Sequence, residues 1–566
     1  MSWIFGYKGI VNDQELVPVV PFDNVLFSFK SGNLFIAAGG NPDSCFYSTE
    51  EKWIACGFGI IELNDQKRMM TREDWSYYFT AKFKPEIEGH FIVLRWGVNE
   101  LHFYNDTFGL RTIYFLESAS RIFFATDLNK LTPFMKSVEM DFGVFGSRWL
   151  LFNQMSNESF IKAVKKLPPY SEASIKSTAL NILRKNFNHN ILVTTKENLY
   201  SSIRKYLNIK LPDQFCISLG LSGGLDSRML LAFMLKEKLN FKVHTFGYED
   251  DQDAIVANRI GNSLNLDLKH IKYQPGYDDD FIKRLNNYCA EIKLAEPASS
   301  YIKLRVFEDD YFQNKILIDG ALAEFARRQF MNRLLIRGRK FLFNKDYISI
   351  SKLLTVHRAS IFNAEIQKEM NSGILEDIEN IFSELPDVSK VGAENFVDLM
   401  VLKYRIPNYF GPEQSRLDNI MLSFMPFAQF KLILTSLGIP AKHRRNGNLF
   451  YKAIDEYYPP LKKIPLVKNG ITYSYGSSTI KSFLITSVKK RFIKTSSYNY
   501  KVGLFDFIEA YVRDLFADKQ AQQCSIYDQA AVKKIISDYY SGNKGRVDDL
   551  DWLYTFEMFR RKMNIS

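Results

Sequence analysis

The stretch Ser222-Gly223-Gly224-Leu225-Asp226-Ser227 constrains the fold of this 566-residue chain more than any other. The apolar run Phe215 to Leu219 before it reads as a buried strand, and Met229 to Leu235 after it reads as a helix. A glycine turn between strand and helix is an anion site. Without Cβ atoms, Gly223 and Gly224 let backbone N–H groups approach phosphate oxygens, and the start of the helix adds partial positive charge. Ser222 and Ser227 can donate hydroxyl hydrogen bonds, and Asp226 offers a hard oxygen ligand for Mg2+ on those phosphates. The spacing is too short for the Walker-type loop, which also requires a lysine before Ser/Thr.

From about 196 onward the pattern alternates between strands and helices. Val243 to Phe246 and Leu268 to Lys272 read as strands, with a helix over Ala254 to Leu264 between them, which implies a parallel sheet with right-handed crossovers. Residues 1 to about 190 differ, with short β-like runs such as 25–29, 91–96 and 121–126 that predict a layered β domain. Beyond about 345 the reading is mostly helical, with 352–363 and 504–516 as examples. The expected fold class is α/β: an N-terminal layered, β-sandwich-type domain over 1–190, then a parallel-sheet domain over 196–566 with a helical C-terminal part.

Composition limits the function classes. Hydrophobic residues make up 46 % and charged residues 24 %, which is globular rather than disordered. No apolar run reaches a membrane span, and the N-terminus lacks a basic region followed by an apolar core, so the cytoplasm is the expected compartment. Five scattered cysteines without a CxxC pair, and seven dispersed histidines, predict neither a disulfide framework nor a structural metal. The net charge of +11 alone admits nucleic acid, an acidic surface or a small anionic substrate. Its densest clusters, Lys489-Lys490-Arg491 with Lys494 and Arg560-Arg561-Lys562, fall at helical spacing among apolar residues and read as solvated helix faces. Without a nucleic-acid module, nucleic acid is not the expected partner.

The Ser-Gly-Gly motif resembles that of the ATP pyrophosphatases, and its surroundings are similar to the asparagine synthetase superfamily. Met1-Ser2-Trp3-Ile4-Phe5-Gly6 resembles the family's Met-Cys-Gly-Ile-Phe-Gly, and 105–115 resembles Arg-Asp-Pro-Phe-Gly-Val-Lys-Pro-Leu-Tyr-Tyr. Phe124-Ala125-Thr126-Asp127-Leu128 is similar to Phe-Ala-Ser-Glu-Leu. Later, Thr245-Phe246-Gly247 with Asp253-Ala254, the segment 318–325 and Lys468-Asn469-Gly470-Ile471 resemble the strands and loops of the synthetase domain. The resemblance implies a class II glutamine amidotransferase-like first domain and an ATP-dependent, AMP-forming carbon–nitrogen ligase in the second, with ATP and Mg2+ as cofactors. It further implies Leu221, Phe246 and Gly247 around the adenine; Ser222, Gly223, Gly224 and Ser227 around the pyrophosphate, with Gly320 also in the cofactor site; Asp226 and Glu324 as magnesium ligands; and Lys468 as the catalytic cation at the α-phosphate.

Departures from the pattern qualify this. Ser2 stands where the family's nucleophilic cysteine would be and Trp3 where it has glycine, so the first domain is expected to be silent as a glutaminase, with ammonia or a substrate amine as donor. Glu324 replaces an aspartate, and Arg328-Gln329 replace a glycine pair after Arg327, where the arginines could clamp an anion or line a solvated face. The expected partners are a small-molecule or peptide carboxylate and an amine. Alternatives are a lasso-peptide or β-lactam type cyclase, a tRNA-modifying ATP pyrophosphatase, and a non-catalytic scaffold.

Overall fold

A computed structural model describes residues 2–9, 24–185, 191–273, 276–328, 330–477, 488–489 and 499–565. Two antiparallel sheets occupy the first third of the chain. In the first, the order is Val164–Lys166, Tyr114–Glu117, Arg121–Ala125, Trp3–Gly9, Leu34–Gly39 and Val25–Ser31. In the second it is Ala179–Arg184, Ser171–Lys176, Glu100–Asn105, Ile87–Trp96, Trp53–Leu63 and Cys45–Ser48, with Gln66–Met69 paired to Trp53–Leu63. Alternate side chains of both sheets meet in one core: Ile4, Ile36, Ala38, Phe115 and Phe124 from the first face Ile54, Ile92, Leu94 and Phe103 from the second. This is the layered β arrangement that the short β-like runs predict.

A parallel sheet follows, ordered Leu268–Lys272, Phe241–Gly247, Cys216–Gly220, Lys315–Ile318 and Leu422–Phe424. The chain leaves the central strand Cys216–Gly220 in one direction and returns to its other side at Lys315–Ile318. A crevice between these two strands at their carboxyl ends is the place where open α/β sheets bind ligands. The fold is therefore mixed α/β, with antiparallel sheets first, a parallel sheet next and a helical C-terminal part.

The two regions share cores. Phe58, Ile60, Phe108 and Leu110 pack in one cluster with Leu219, Leu230, Phe424 and Phe427. The helix Phe142–Leu150 crosses Ala364–Glu384 closely, since a Cβ on Gly146 would lie 2.3 Å from the carbonyl oxygen of Met370 and one on Gly373 2.2 Å from that of Gly143.

Three readings of the helical region need correction. Only the first three residues of 352–363 are helical, because the helix Tyr347–Leu354 ends there. Beyond it the backbone is spent on tertiary pairing, with Val356 N–H donating to Leu150 O and Asp528 N–H to Ile361 O. The segment 504–516 is two helices, Tyr500–Phe507 and Glu509–Ala517, separated at Ile508. The Arg560-Arg561-Lys562 cluster is not a solvated face: Arg560 is buried, its guanidinium held by Glu557 and the carbonyl of Ile565, and Arg561 pairs with Glu557 and Asp518. Charge patterning missed this because Glu557, one turn upstream, is itself buried. Of the other cluster, Lys490, Arg491 and Lys494 lie outside the described residues; Lys489 is exposed. Among the described residues no helix is long and apolar enough to cross a membrane.

Candidate active site

The Ser-Gly-Gly turn lies at the carboxyl end of the central parallel strand and runs directly into the helix Leu225–Lys236. Its backbone donors point inward and are held by side-chain oxygens: Ser222 N–H by Ser227 Oγ at 3.1 Å, Gly223 N–H by Asp253 Oδ1 at 3.0 Å and Gly224 N–H by Ser222 Oγ at 3.1 Å. A carboxylate oxygen thus already sits against one donor, as an anion would. Burial raises the Asp253 carboxyl, opposed by that Gly223 hydrogen bond.

Glycine is required here by close approach. A Cβ on Gly223 would lie 2.2 Å from Cγ2 of Val467, and one on Gly320 would lie 2.6 Å from Cβ of Asp226. Gly320 follows the strand Lys315–Ile318, so its contact draws the two walls of the crevice together at Asp226.

Asp226 is the electrostatic centre. Its Oδ2 accepts from Nη2 of Arg327 at 2.6 Å, while Oδ1 is buried without a hydrogen-bond partner. Burial pushes the carboxyl up to about 7, with Arg327 opposing and Glu324 adding to the rise. Glu324 lies 3.9 Å from the same guanidinium nitrogen, so one arginine spans both carboxylates. The orphaned Oδ1 together with the half-exposed Glu324 forms a two-carboxylate oxygen set that suits a hard divalent cation.

Lys468 is brought to the turn by a hairpin of Leu466–Lys468 and Ile471–Tyr473. Val467 N–H donates to Gly223 O at 2.9 Å. Arg228, fully buried, donates to the carbonyls of Gly223, Leu461, Ile464 and Pro465, tying the turn to the chain leading into the hairpin. Lys468 itself is exposed.

Of the remaining residues, Leu221 is buried and its N–H is committed to His244 O at 2.8 Å. Phe246 packs edge-on against His244 and Phe307. Gly247, with φ +137°, turns the chain out of its strand, and its carbonyl accepts from His270. Arg328 neither clamps an anion nor faces solvent: it is buried, 3.4 Å from Asp398, which also pairs with Arg444. Gln329 lies outside the described residues. Sequence reasoning missed Arg228 as a positioning residue, although an arginine heading the apolar run 229–235 was the visible signal.

Beside the crevice lies a cavity of about 170 Å3 whose lining includes Asp319, Ala321, Phe410, Glu413, Leu417 and Met425. Burial raises the carboxyls of Asp319 and Glu413.

At the N-terminus, Ser2 is fully buried. Its hydroxyl hydrogen-bonds Ser44 and the carbonyl of Asn41, and its own carbonyl accepts from Arg111. Met1 lies outside the described residues.

No family model matches the chain. It is 20 % identical over 271 residues to Asparagine synthetase [glutamine-hydrolyzing] 1 of Bacillus subtilis (strain 168), a match that covers 43 % of this chain and 42 % of that protein, less than half the length of each. Among solved structures, NMN synthetase from Francisella tularensis aligns with a TM-score of 0.19 and 15 % identity, over 40 % of this chain and 96 % of that one. The allosteric regulatory enzyme of purine biosynthesis aligns with a TM-score of 0.19 and 13 % identity, over 61 % of this chain and 78 % of that one. The chain is thus similar in sequence, at a distance, to an asparagine synthetase.

Proposed function

We propose that the chain is an ATP-dependent, amide-forming ligase in which residues 196–566 activate a carboxylate as its adenylate and residues 1–190 serve as a silent amidotransferase-like domain. The observation that carries this reading is the convergence of the Ser-Gly-Gly turn, Asp226 and the Lys468 hairpin on one crevice, joined by the Val467 to Gly223 hydrogen bond of 2.9 Å. The similarity to an asparagine synthetase supports it.

A carboxylate does not condense with an amine at neutral pH, because oxide is a poor leaving group. In the proposed reaction a substrate carboxylate oxygen attacks the α-phosphorus of ATP, and the bond to the bridging oxygen breaks to release pyrophosphate. The amine then attacks the acyl carbon, loses a proton, and AMP departs. Ser222, Gly223, Gly224 and Ser227 would receive the pyrophosphate, with Gly320 closing the wall behind Asp226. Leu221, Phe246 and Gly247 would border the adenine. Mg2+, held by Asp226 and Glu324, would neutralise phosphate charge. Lys468 would place its ammonium against the α-phosphate, where negative charge grows.

The tied hydroxyl of Ser2 supports ammonia or a substrate amine as the donor. The apolar part of the 170 Å3 cavity supports a carboxylate substrate with an apolar body.

The test measures AMP and pyrophosphate from Mg-ATP with aspartate and a panel of larger apolar and peptide carboxylates, with ammonium or glutamine as donor. Release with ammonium, abolished in Asp226→Ala, supports the reading. Equal turnover with glutamine as sole donor would refute the silent first domain, and ATP binding without pyrophosphate release across the whole panel would refute the ligase.

A further inference from the structure

Away from this crevice, where the first antiparallel sheet meets the helical region, three buried cations surround one small cavity. Arg148, on the helix Phe142–Leu150, Lys166, on the strand Val164–Lys166, and Lys293 are 5 %, 8 % and 7 % exposed, and all three line a space of about 30 Å3. None forms an ion pair with a described carboxylate. Lys166 Nζ donates to Asn408 Oδ1 at 2.8 Å, Lys293 Nζ to the Tyr114 hydroxyl at 3.1 Å, and Arg148 to Gln154 Oε1 and Asn408 O, each at 3.1 Å. Every one of these acceptors is neutral. The acid on the lining, Glu158, is surface-exposed and paired with Arg184. A further guanidinium on the wall, Arg111, is matched by Asp418 and so contributes no deficit.

Each uncompensated buried ion costs several kcal/mol in desolvation, and like charges grouped together add to that cost. Burial, with Arg148 and Lys293 adding their repulsion, brings the Lys166 ammonium down to about 7. An ammonium has three donors, and the one hydrogen bond that each of Lys166 and Lys293 makes to a described residue leaves others to be directed elsewhere. A single water needs about 10–15 Å3 of a cavity, so about 30 Å3 accommodates one monatomic ion or about two waters, not an oxyanion with a bulky substituent.

We propose that this cavity is a binding site for a small monovalent anion of halide size, held by Arg148, Lys166 and Lys293 at the junction of the two parts of the chain. The bound anion supplies the missing counter-charge and so fastens the first sheet to the segment around Asn408. This site is independent of the ligase reading.

The test uses the full-length protein at fixed total salt, with sodium gluconate, whose anion is too large to enter, replaced stepwise by sodium bromide. A saturable upward shift of Tm at low-millimolar bromide is expected, and Lys166→Met loses it. Crystals grown in bromide are expected to show an anomalous peak within hydrogen-bonding distance of Lys166 Nζ and Lys293 Nζ, a readout that needs no variant to fold. No peak in the cavity, or a bromide shift retained in Lys166→Met, overturns the proposal.

Discussion

Nη2 of Arg327 lies 2.6 Å from Oδ2 of Asp226 and 3.9 Å from Oε1 of Glu324, so a side chain of the protein itself stands between the two carboxylates expected to share a cation. Removing that guanidinium leaves Asp226 with no described donor on either oxygen. Arg327→Met is expected to destabilise the fold by about 1–3 kcal/mol in urea titration. Adding Asp226→Asn removes the stranded carboxyl and is expected to recover about 1 kcal/mol of it, read as a coupling energy in the double-mutant cycle.

Arg228 is expected to be structural in location and functional in effect. Arg228→Leu strands four carbonyls, those of Gly223, Leu461, Ile464 and Pro465, and is expected to cost about 3 kcal/mol. Because those carbonyls anchor the hairpin, limited proteolysis near 466–473 is expected to accelerate in the variant before global unfolding sets in.

Lys468 separates the two kinds of effect. Its side chain is exposed, so Lys468→Ala is expected to leave stability within about 0.5 kcal/mol of the parent. If it meets the α-phosphate, pyrophosphate release falls by about 10²–10³-fold. Unchanged release would remove it from the catalytic set.

His90 is buried beside Asp418 and Gln414, and burial, reinforced by Arg111, holds its imidazole down to about 3. In the unfolded chain it titrates near about 6.5. Between those values the unfolded state binds a proton that the folded state refuses, so this stability is complete above about 6.5 and is lost as pH falls toward 3. His90→Gln is expected to flatten the acid limb by as much as about 1.4 kcal/mol per pH unit, measured by denaturant titration at several pH values.

The strand–turn–helix around Ser222 was legible because its signal is local: an apolar run, two glycines and a second apolar run, all within 21 residues. The same holds for the strands 241–247 and 268–272. What escaped depends on partners distant in sequence. The helix expected over 352–363 gave way to pairing with Leu150 and Asp528, and Arg560 was drawn inside by Glu557, a buried acid that surface charge patterning does not anticipate. Within the candidate site, Asp226 and Ser222 could be named from the motif, whereas Arg327 bridging to Asp226 and Asp253 reaching Gly223 required the parallel sheet to bring 101 and 30 residues of separation to hydrogen-bonding distance.

Phe58, Ile60, Phe108 and Leu110 lie in the same packed cluster as Leu219 and Phe424, and Arg111 answers the buried charge of Asp418. Deleting the first 190 residues would open that cluster to water and strand an aspartate inside the remainder. Residues 1–190 therefore supply buried apolar surface and a counter-charge to the parallel-sheet region, a contribution that holds whatever chemistry the sheets around Ser2 perform.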